Sequence, residues 1–97
     1  MPKANWVSAY HEIRDNEKLA AYAKIAGPAV TASGGRFLTR GVASKAFEAG
    51  QVQRTTVIEF DSLDQAIAAH ETPEYKEALK ALEGSVARDL RIIEGLE

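Results

Sequence analysis

Residues 54–65 read Arg-Thr-Thr-Val-Ile-Glu-Phe-Asp-Ser-Leu-Asp-Gln, a strand pattern followed at once by a helix start. β-branched and aromatic residues are frequent over 54–60, which favours a strand. Ser62 and Gln65 have the spacing of a capping box, in which the serine oxygen accepts a free N–H of the first turn and the glutamine reaches back to the cap. The sequence therefore predicts a strand over 54–60 and a short helix over 63–70.

The N-terminal part of the chain predicts a strand, a helix and a second strand. Residues 6–13 are rich in strand formers, and Asp15 can cap the helix that follows. Apolar residues continue at helical spacing to about Ala32. A kink or a restart is expected at Gly27-Pro28, because proline lacks a backbone donor. Glycines then end the helix, and 36–40 read as the next strand.

The remaining segments complete the pattern of alternating elements. Residues 45–48 are predicted to form a short strand within a turn-rich excursion. Thr72 caps a further helix and Pro73 takes its first position, where the missing N–H costs nothing. One face of that helix is predicted to carry Tyr75, Leu79, Leu82 and Val86. A last strand is predicted over 89–94.

This element order, βαββαβ, predicts one α+β domain over residues 1–97. Such split βαβ units form an antiparallel sheet with both helices on one face, the ferredoxin-like arrangement. The other face is left bare, and the apolar residues that could lie on it are Trp6, Phe37, Val57 or Ile58, and Ile92 or Ile93. A small domain has a thin core, and no cysteine is present to add a disulfide. We therefore predict a homodimer joined through the sheet faces.

Charge and hydropathy argue against two classes of partner. The 12 basic and 14 acidic residues are interspersed and give a net charge of −2, so no basic stripe is available for nucleic acid. No apolar run approaches the roughly 20 residues of a membrane span. The N-terminus lacks the apolar stretch of a signal peptide. We expect a cytoplasmic protein that binds neither nucleic acid nor membrane.

Four motifs, taken in order, resemble a known family. They are 34–41 (Gly-Gly-Arg-Phe-Leu-Thr-Arg-Gly), 57–62 (Val-Ile-Glu-Phe-Asp-Ser), 72–75 (Thr-Pro-Glu-Tyr) and 93–95 (Ile-Glu-Gly). Together they make the chain, from about Trp6 to Gly95, similar to the family called domain of unknown function 1330. The resemblance implies a ferredoxin-like domain of the dimeric α/β-barrel superfamily, in which two sheets pack into one barrel. No general activity is established for the family.

The resemblance also points to individual residues. The recurrent polar or aromatic positions of the family are matched by Tyr22, Arg40, Glu59 and Tyr75. The chain departs from the family at Asn16, where proline is frequent, and at His70, where an aromatic residue is frequent. If that aromatic ring shapes a ligand site, the ligand of this chain is a different one.

No cofactor or metal site is predicted. His11 and His70 are the only histidines, cysteine is absent, and no recognised metal-ligand spacing is present. Ser33-Gly34-Gly35 leads from a helix into a strand, whereas a phosphate loop leads into a helix N-terminus. No nucleophile motif is visible. We expect no tightly bound metal, nucleotide or flavin.

His70 and Arg40 are the candidate catalytic residues. His70 ends a short helix where loops meet the sheet; it could act as a general base or simply interact with the helix dipole. Arg40 and Glu59 lie on neighbouring predicted strands and could form a structural ion pair, or Arg40 alone could bind an anion. Tyr22 could line the same cleft or only pack at the core edge.

These residues predict a ligand cleft between the sheet and the helices, lined by some of Tyr22, Arg40, Glu59 and His70. Arginine is always charged, which favours a carboxylate or an enolate-like ligand. By analogy of fold, the prediction is a cofactor-independent enzyme that acts on a small organic acid. The alternatives are a non-catalytic module that binds such an acid and a purely structural dimer.

Overall fold

The computed structural model describes residues 2–96 and contains four strands and three helices in that range. In chain order they are β1 (Ala4–Ile13), α1 (Asn16–Ala32), β2 (Arg36–Val42), β3 (Arg54–Phe60), α2 (Leu63–His70), α3 (Pro73–Leu82) and β4 (Val86–Glu94). The strands form one sheet in the order β2-β3-β1-β4, and every neighbouring pair is antiparallel. This is the predicted ferredoxin-like α+β fold. None of the helices within residues 2–96 has the length and apolar character needed to cross a membrane.

The three predicted helix caps are present. The side chains of Asp15, Ser62 and Thr72 each accept a backbone N–H of the first helical turn at 3.0–3.1 Å. The capping box at α2 is only half formed, because Gln65 Oε1 accepts the N–H of Asp61 at 3.1 Å rather than that of Ser62. Local hydrogen bonding therefore fixes the helix starts much as the sequence predicts.

The elements differ from the prediction in several places; β1 starts at Ala4 instead of residue 6, and β2 ends at Val42 instead of residue 40. Helix α1 continues through Gly27-Pro28 without a restart, because buried residues on both sides of that pair pack against the core. Residues 45–48 form no strand; residues 48–49 form a turn, and no ladder partner lies beside this segment. Strand β4 starts at Val86 instead of residue 89, so Val86 belongs to the sheet, opposite Ile13, and not to a helix face. Gly84 lies between the end of α3 and the start of β4, and its φ of 77° is in the region that favours glycine.

The helices cover only one side of the sheet. The core on that side includes Trp6 and Ile58, and Trp6 Nε1 donates to the carbonyl of Ala66 in α2 at 2.8 Å. Ile92 and Phe37 face the same way, since they pair with Trp6 and Ile58 across the neighbouring strands. These four sheet residues are therefore core residues and do not lie on the bare side.

The opposite side of the sheet, called the open face below, is mixed in character. Val57 and Ile93 lie on it as expected, together with Val7, which pairs with Val57. Its charged residues are Arg36, Glu59, Asp89 and Arg91. The open face is therefore less apolar than the sequence alone suggested.

Candidate functional site

The helix-facing side of the sheet has a polar end and an apolar end. Strand pairing aligns one row of residues across all four strands, Leu90, Ser8, Thr56 and Arg40. The row toward the apolar end is Ile92, Trp6, Ile58 and Phe37. On the polar side of the first row lie Arg88, Tyr10 and Arg54. Three arginines therefore share one end of the surface that α1 covers.

A β-bulge in β2 turns Arg40 toward the helices. The register shifts by one residue between Phe37 and Thr39. Without that shift Arg40 would lie on the open face with Arg36, because side chains alternate along a strand. With it, Arg40 points at α1, and its Nη1 atom lies 4.0 Å from the position that a Cβ would take on Gly27.

Arg88 is held by hydroxyl groups at the polar end. Its Nη1 donates to Tyr10 Oη at 3.1 Å and to Ser8 Oγ and Tyr22 Oη at 3.3 Å each. Its Nη2 donates to Tyr75 Oη at 3.3 Å, and the hydroxyls of Tyr22 and Tyr75 lie 2.8 Å apart. All of these partners are neutral, so no carboxylate offsets the charge of Arg88.

Burial sets the protonation of this cluster. Burial raises the pKa of Tyr22 well above its usual value; Tyr75 adds to this effect and Arg88 only partly opposes it. Burial also disfavours charge on Arg88, but the surrounding tyrosines outweigh that effect and raise the pKa of Arg88. Near neutral pH Tyr22 is therefore a neutral hydroxyl rather than a base, and Arg88 is a cation.

Arg54 stands beside the same tyrosine ring. The guanidinium carbon of Arg54 lies 5.8 Å from the ring centroid of Tyr10, and that of Arg88 lies 5.4 Å from it. Arg54 Nε is buried and has no hydrogen-bond partner within residues 2–96. A buried donor without a partner costs free energy, which an ordered water or another oxygen reaching this atom would recover.

A narrow cavity of about 30 Å³ lies between α1 and the sheet and opens to solvent at its mouth. Its polar wall is formed by Arg40, Arg54, Arg88, Tyr10, Tyr22 and Ser8. Its apolar wall includes Ala23, Ala26, Val30, Phe37, Ile58 and Leu90. Among the described residues the lining includes no Asp, Glu or His. A mostly apolar cavity with a few polar groups at one end is typical of small-molecule sites.

The arginines of the cavity differ from those elsewhere in the chain. Outside the cavity, Arg14, Arg36 and Arg91 each lie 3.0–3.2 Å from a carboxylate oxygen. Within residues 2–96, Arg40, Arg54 and Arg88 have no carboxylate within salt-bridge distance. The cavity therefore brings together positive charge without carboxylates, from half-buried Arg54 and Arg88 and from exposed Arg40, which favours an anionic ligand.

Two of the four predicted ligand-site residues line this cavity, Tyr22 from α1 and Arg40 from β2. Glu59 lies on the open face, where its Oε1 accepts from Arg36 Nη2 at 3.1 Å. Of the two alternatives for Arg40, the ion pair with Glu59 does not form. The bulge in β2 places these two side chains on opposite sides of the sheet.

His70, the candidate base, lies outside the cavity lining. Its ring centroid is 5.7 Å from that of Trp6 and 5.1 Å from that of Tyr75. Its Nδ1 atom lies 3.5 Å from a carboxylate oxygen of Glu71. Across residues 2–96, no group of three or more His, Cys, Asp or Glu side chains is arranged to hold a metal ion.

Arg54 and Arg88 were missed as site residues. Arg88 precedes residue 89, where the last strand was predicted to begin, so no side of the sheet could be assigned to it. The signal is present in the alternation Arg88, Leu90, Ile92, which places a charged residue in line with two core residues. Arg54 precedes Thr56 and Ile58 in the same way.

Comparison with known proteins identifies the family of the chain. The sequence model described as domain of unknown function (DUF1330) matches residues 3–96. The chain belongs to this family. No curated protein is a significant match for this DUF1330 chain.

Several solved structures share the fold of this DUF1330 chain at low sequence identity. A protein of unknown function from Rhodopseudomonas palustris has a TM-score of 0.76 and 17% identity, over 99% of this chain and 84% of that one. A dimeric ferredoxin-like protein of unknown function from Thermobifida fusca has a TM-score of 0.66 and 16% identity, over 97% and 92%. A cofactor-independent oxygenase from Streptomyces nogalater has a TM-score of 0.68 and 10% identity, over 100% and 96%. At these identities the likeness concerns the fold.

Proposed function

We propose that this protein binds a small organic acid in the cavity between α1 and the sheet. Arg40, Arg54 and Arg88 supply the positive charge that holds the acid group. The observation that carries the proposal is that these three guanidinium groups line one cavity without a carboxylate partner among the described residues. The apolar wall around Ala26 and Ile58 provides contact for the carbon body of the acid.

We also propose that the protein is a homodimer joined through the open faces, as in a dimeric α/β barrel. Val7 and Val57 pair on that face, and Ile93 is 60% exposed in the single chain. Asn5 lies on the same face, paired with Glu59 and Ile93 of the neighbouring strands. The Thermobifida fusca protein, described as dimeric, is a precedent for the fold. This assembly leaves the two cavities on the outer, helix-covered sides.

The proposed binding is tested by calorimetric titration with a panel of small organic acids. We expect at least one acid to bind the parent protein and to bind Arg54→Met at least about tenfold more weakly, because a charge-assisted hydrogen bond is lost. Arg91→Met is the matched control, since it removes the same charge from the open face and is expected to bind within about twofold of the parent. Equal binding by the parent and Arg54→Met, or no binding of any acid, would overturn the proposal.

A second candidate function is a cofactor-independent enzyme acting on the same acid. The specific observation in its favour is the uncompensated charge, which would stabilise an enolate or another oxyanion as it forms. The oxygenase of Streptomyces nogalater is a precedent on this fold. The described lining offers no Asp, Glu or His as a base, so the acidity would come from the substrate itself.

Catalysis is separated from binding by mass spectrometry of the acids after incubation with the protein in air. A product formed by the parent and by Arg91→Met, but not by Arg54→Met, supports the enzyme. Tight binding with every acid recovered unchanged supports the binding module instead.

A further inference from the structure

We infer that Gly27 of α1 determines the size of the acid that this cavity admits, because it keeps open the gap between the helix and the guanidinium group of Arg40. This inference rests on the proposed function, since it names the residue that selects among acids at the same site. It follows from the place of Gly27 in the helix, from its backbone and neighbours, and from the volume of the cavity.

Gly27 stands in the interior of a helix, where glycine is unfavourable. Helix α1 runs over Asn16–Ala32 and continues through Gly27-Pro28. Glycine and proline are the two residues least suited to a helix interior, glycine because it loses the most backbone freedom on folding. Ala26 and Ala29 are buried on either side of the pair and hold the helix against the core. The helix therefore contains a glycine that lowers its own stability.

Neither the backbone nor the packing of α1 requires a glycine at this position. Gly27 is helical, a conformation that any L-residue adopts, whereas Gly34 has a φ of 92°. A Cβ on Gly35 would lie 2.6 Å from Val30 Cγ1, so close packing does require glycine there. A Cβ on Gly27 would lie 4.0 Å from Arg40 Nη1, which is an ordinary van der Waals contact, and no atom of the sheet would be closer.

The space that a side chain would occupy at Gly27 belongs to the cavity. Gly27 and Arg40 both line the cavity, and Arg40 is exposed, so the gap between them lies at the mouth. The cavity itself has a volume of about 30 Å³. A methyl group is about as large as a water molecule, whose share of liquid volume is about 30 Å³. Even one methyl group on Gly27 would therefore take up space comparable to that of the cavity.

The missing side chain also leaves the charge of Arg40 accessible from the mouth. The guanidinium carbon of Arg40 lies 4.5 Å from the ring centroid of Phe37, and within residues 2–96 no carboxylate pairs with it. An acid that enters here passes between Gly27 and this charge. A larger acid fills more of the gap, so its binding depends more strongly on the absence of a side chain at Gly27.

The inference is tested by calorimetric titration of a size series, acetate, propionate, butyrate and benzoate, into the parent, Gly27→Ala and Gly41→Ala. We expect the parent to bind at least two of these acids. Gly27→Ala should bind the largest of them at least about tenfold more weakly, whereas the smallest should lose less than about threefold. Gly41→Ala is the matched control, since Gly41 lies on the open face and no atom lies within 4 Å of its Cβ position. Its affinities should stay within about twofold of those of the parent.

Urea denaturation separates this role from a structural one. The midpoint of Gly27→Ala should equal or exceed that of the parent, because alanine is the better helix former. A glycine required by the fold would give a lower midpoint instead.

Several results would overturn the inference while leaving the proposed function intact. These are a loss of affinity in Gly27→Ala that does not grow with the size of the acid, a lower urea midpoint for that variant, or binding of fewer than two acids of the series by the parent. If no acid of the series or of the wider panel binds the parent, both the inference and the proposed function are wrong.

Discussion

Arg88 is surrounded by hydroxyl groups instead of carboxylates, and this determines how the site responds to pH. Tyr22 shares the cluster, and burial raises the pKa of Tyr22 above its usual value of 10.0. Below pH 10 the tyrosine is protonated in both the folded and the unfolded chain and adds no pH dependence. Above pH 10 the unfolded chain releases a proton that the folded protein retains, so stability falls as the pH rises.

Tyr22→Phe is therefore expected to reduce the fall in the free energy of unfolding above pH 10. The free energy of unfolding of the parent should fall above pH 10 more steeply than that of the variant, by up to about 1.4 kcal/mol per pH unit. At neutral pH the variant should be about 1 kcal/mol less stable, since the hydrogen bonds to Tyr75 and Arg88 are lost. Urea denaturation of both proteins over a pH series measures these differences. Parallel curves for the two proteins above pH 10 would contradict the account.

At the scale of elements, the side of the sheet on which each charged residue lies was the hardest feature to predict. The caps at Asp15 and Ser62 and the strand over 54–60 followed from local residue chemistry. The bulge in β2 could not be predicted, because no glycine or other special residue marks it in the sequence. One added residue moves every later side chain of the strand to the opposite side of the sheet. Arg40 was therefore found, but it was assigned the wrong neighbour, Glu59.

Helix α1 is expected to control the space in the cavity through its small side chains. Ala23 lines the cavity, whereas Ala21 on the same helix is exposed. Ala23→Leu should weaken binding of the acids by about tenfold or more, because the larger side chain fills ligand space. Its free energy of unfolding should stay within about 1.5 kcal/mol of the parent, since the leucine enters an existing cavity.

Ala21→Leu is the matched control for that change, because it adds the same side chain outside the site. Calorimetric titration and urea denaturation of the two variants compare binding with stability. Unchanged binding by Ala23→Leu would mean that the ligand lies outside this cavity.

For the whole molecule, the open face is the side of the sheet that no helix of the single chain covers. It carries half-buried Val7 and Val57 together with paired charges, and the helices do not cover it. The helices pack against the opposite side of the same sheet. A second sheet packed face to face would cover the open face. The sequence predicted this assembly from the thin core, but the residues that lie on the open face became clear only from the strand register.

A charge at the centre of the open face is expected to separate the proposed dimer. Val57→Arg should lower the mass in solution from that of two chains to that of one, because an unpaired charge would be buried between the sheets. Ile67→Arg is the control, since Ile67 is an exposed apolar residue of α2 outside the open face. Light scattering at micromolar concentration measures the mass of each protein. A monomeric parent would contradict the proposed dimer.

The most direct test of the anion site is nuclear magnetic resonance of the six arginine side chains during titration with each acid of the calorimetric panel. Each arginine has one Nε–H group, so each reports on its own surroundings. We expect the Nε–H signals of Arg40, Arg54 and Arg88 to shift with at least one of these acids, while those of the carboxylate-paired Arg14, Arg36 and Arg91 stay in place. Shifts confined to the paired arginines, or no shift at any arginine, would contradict the account.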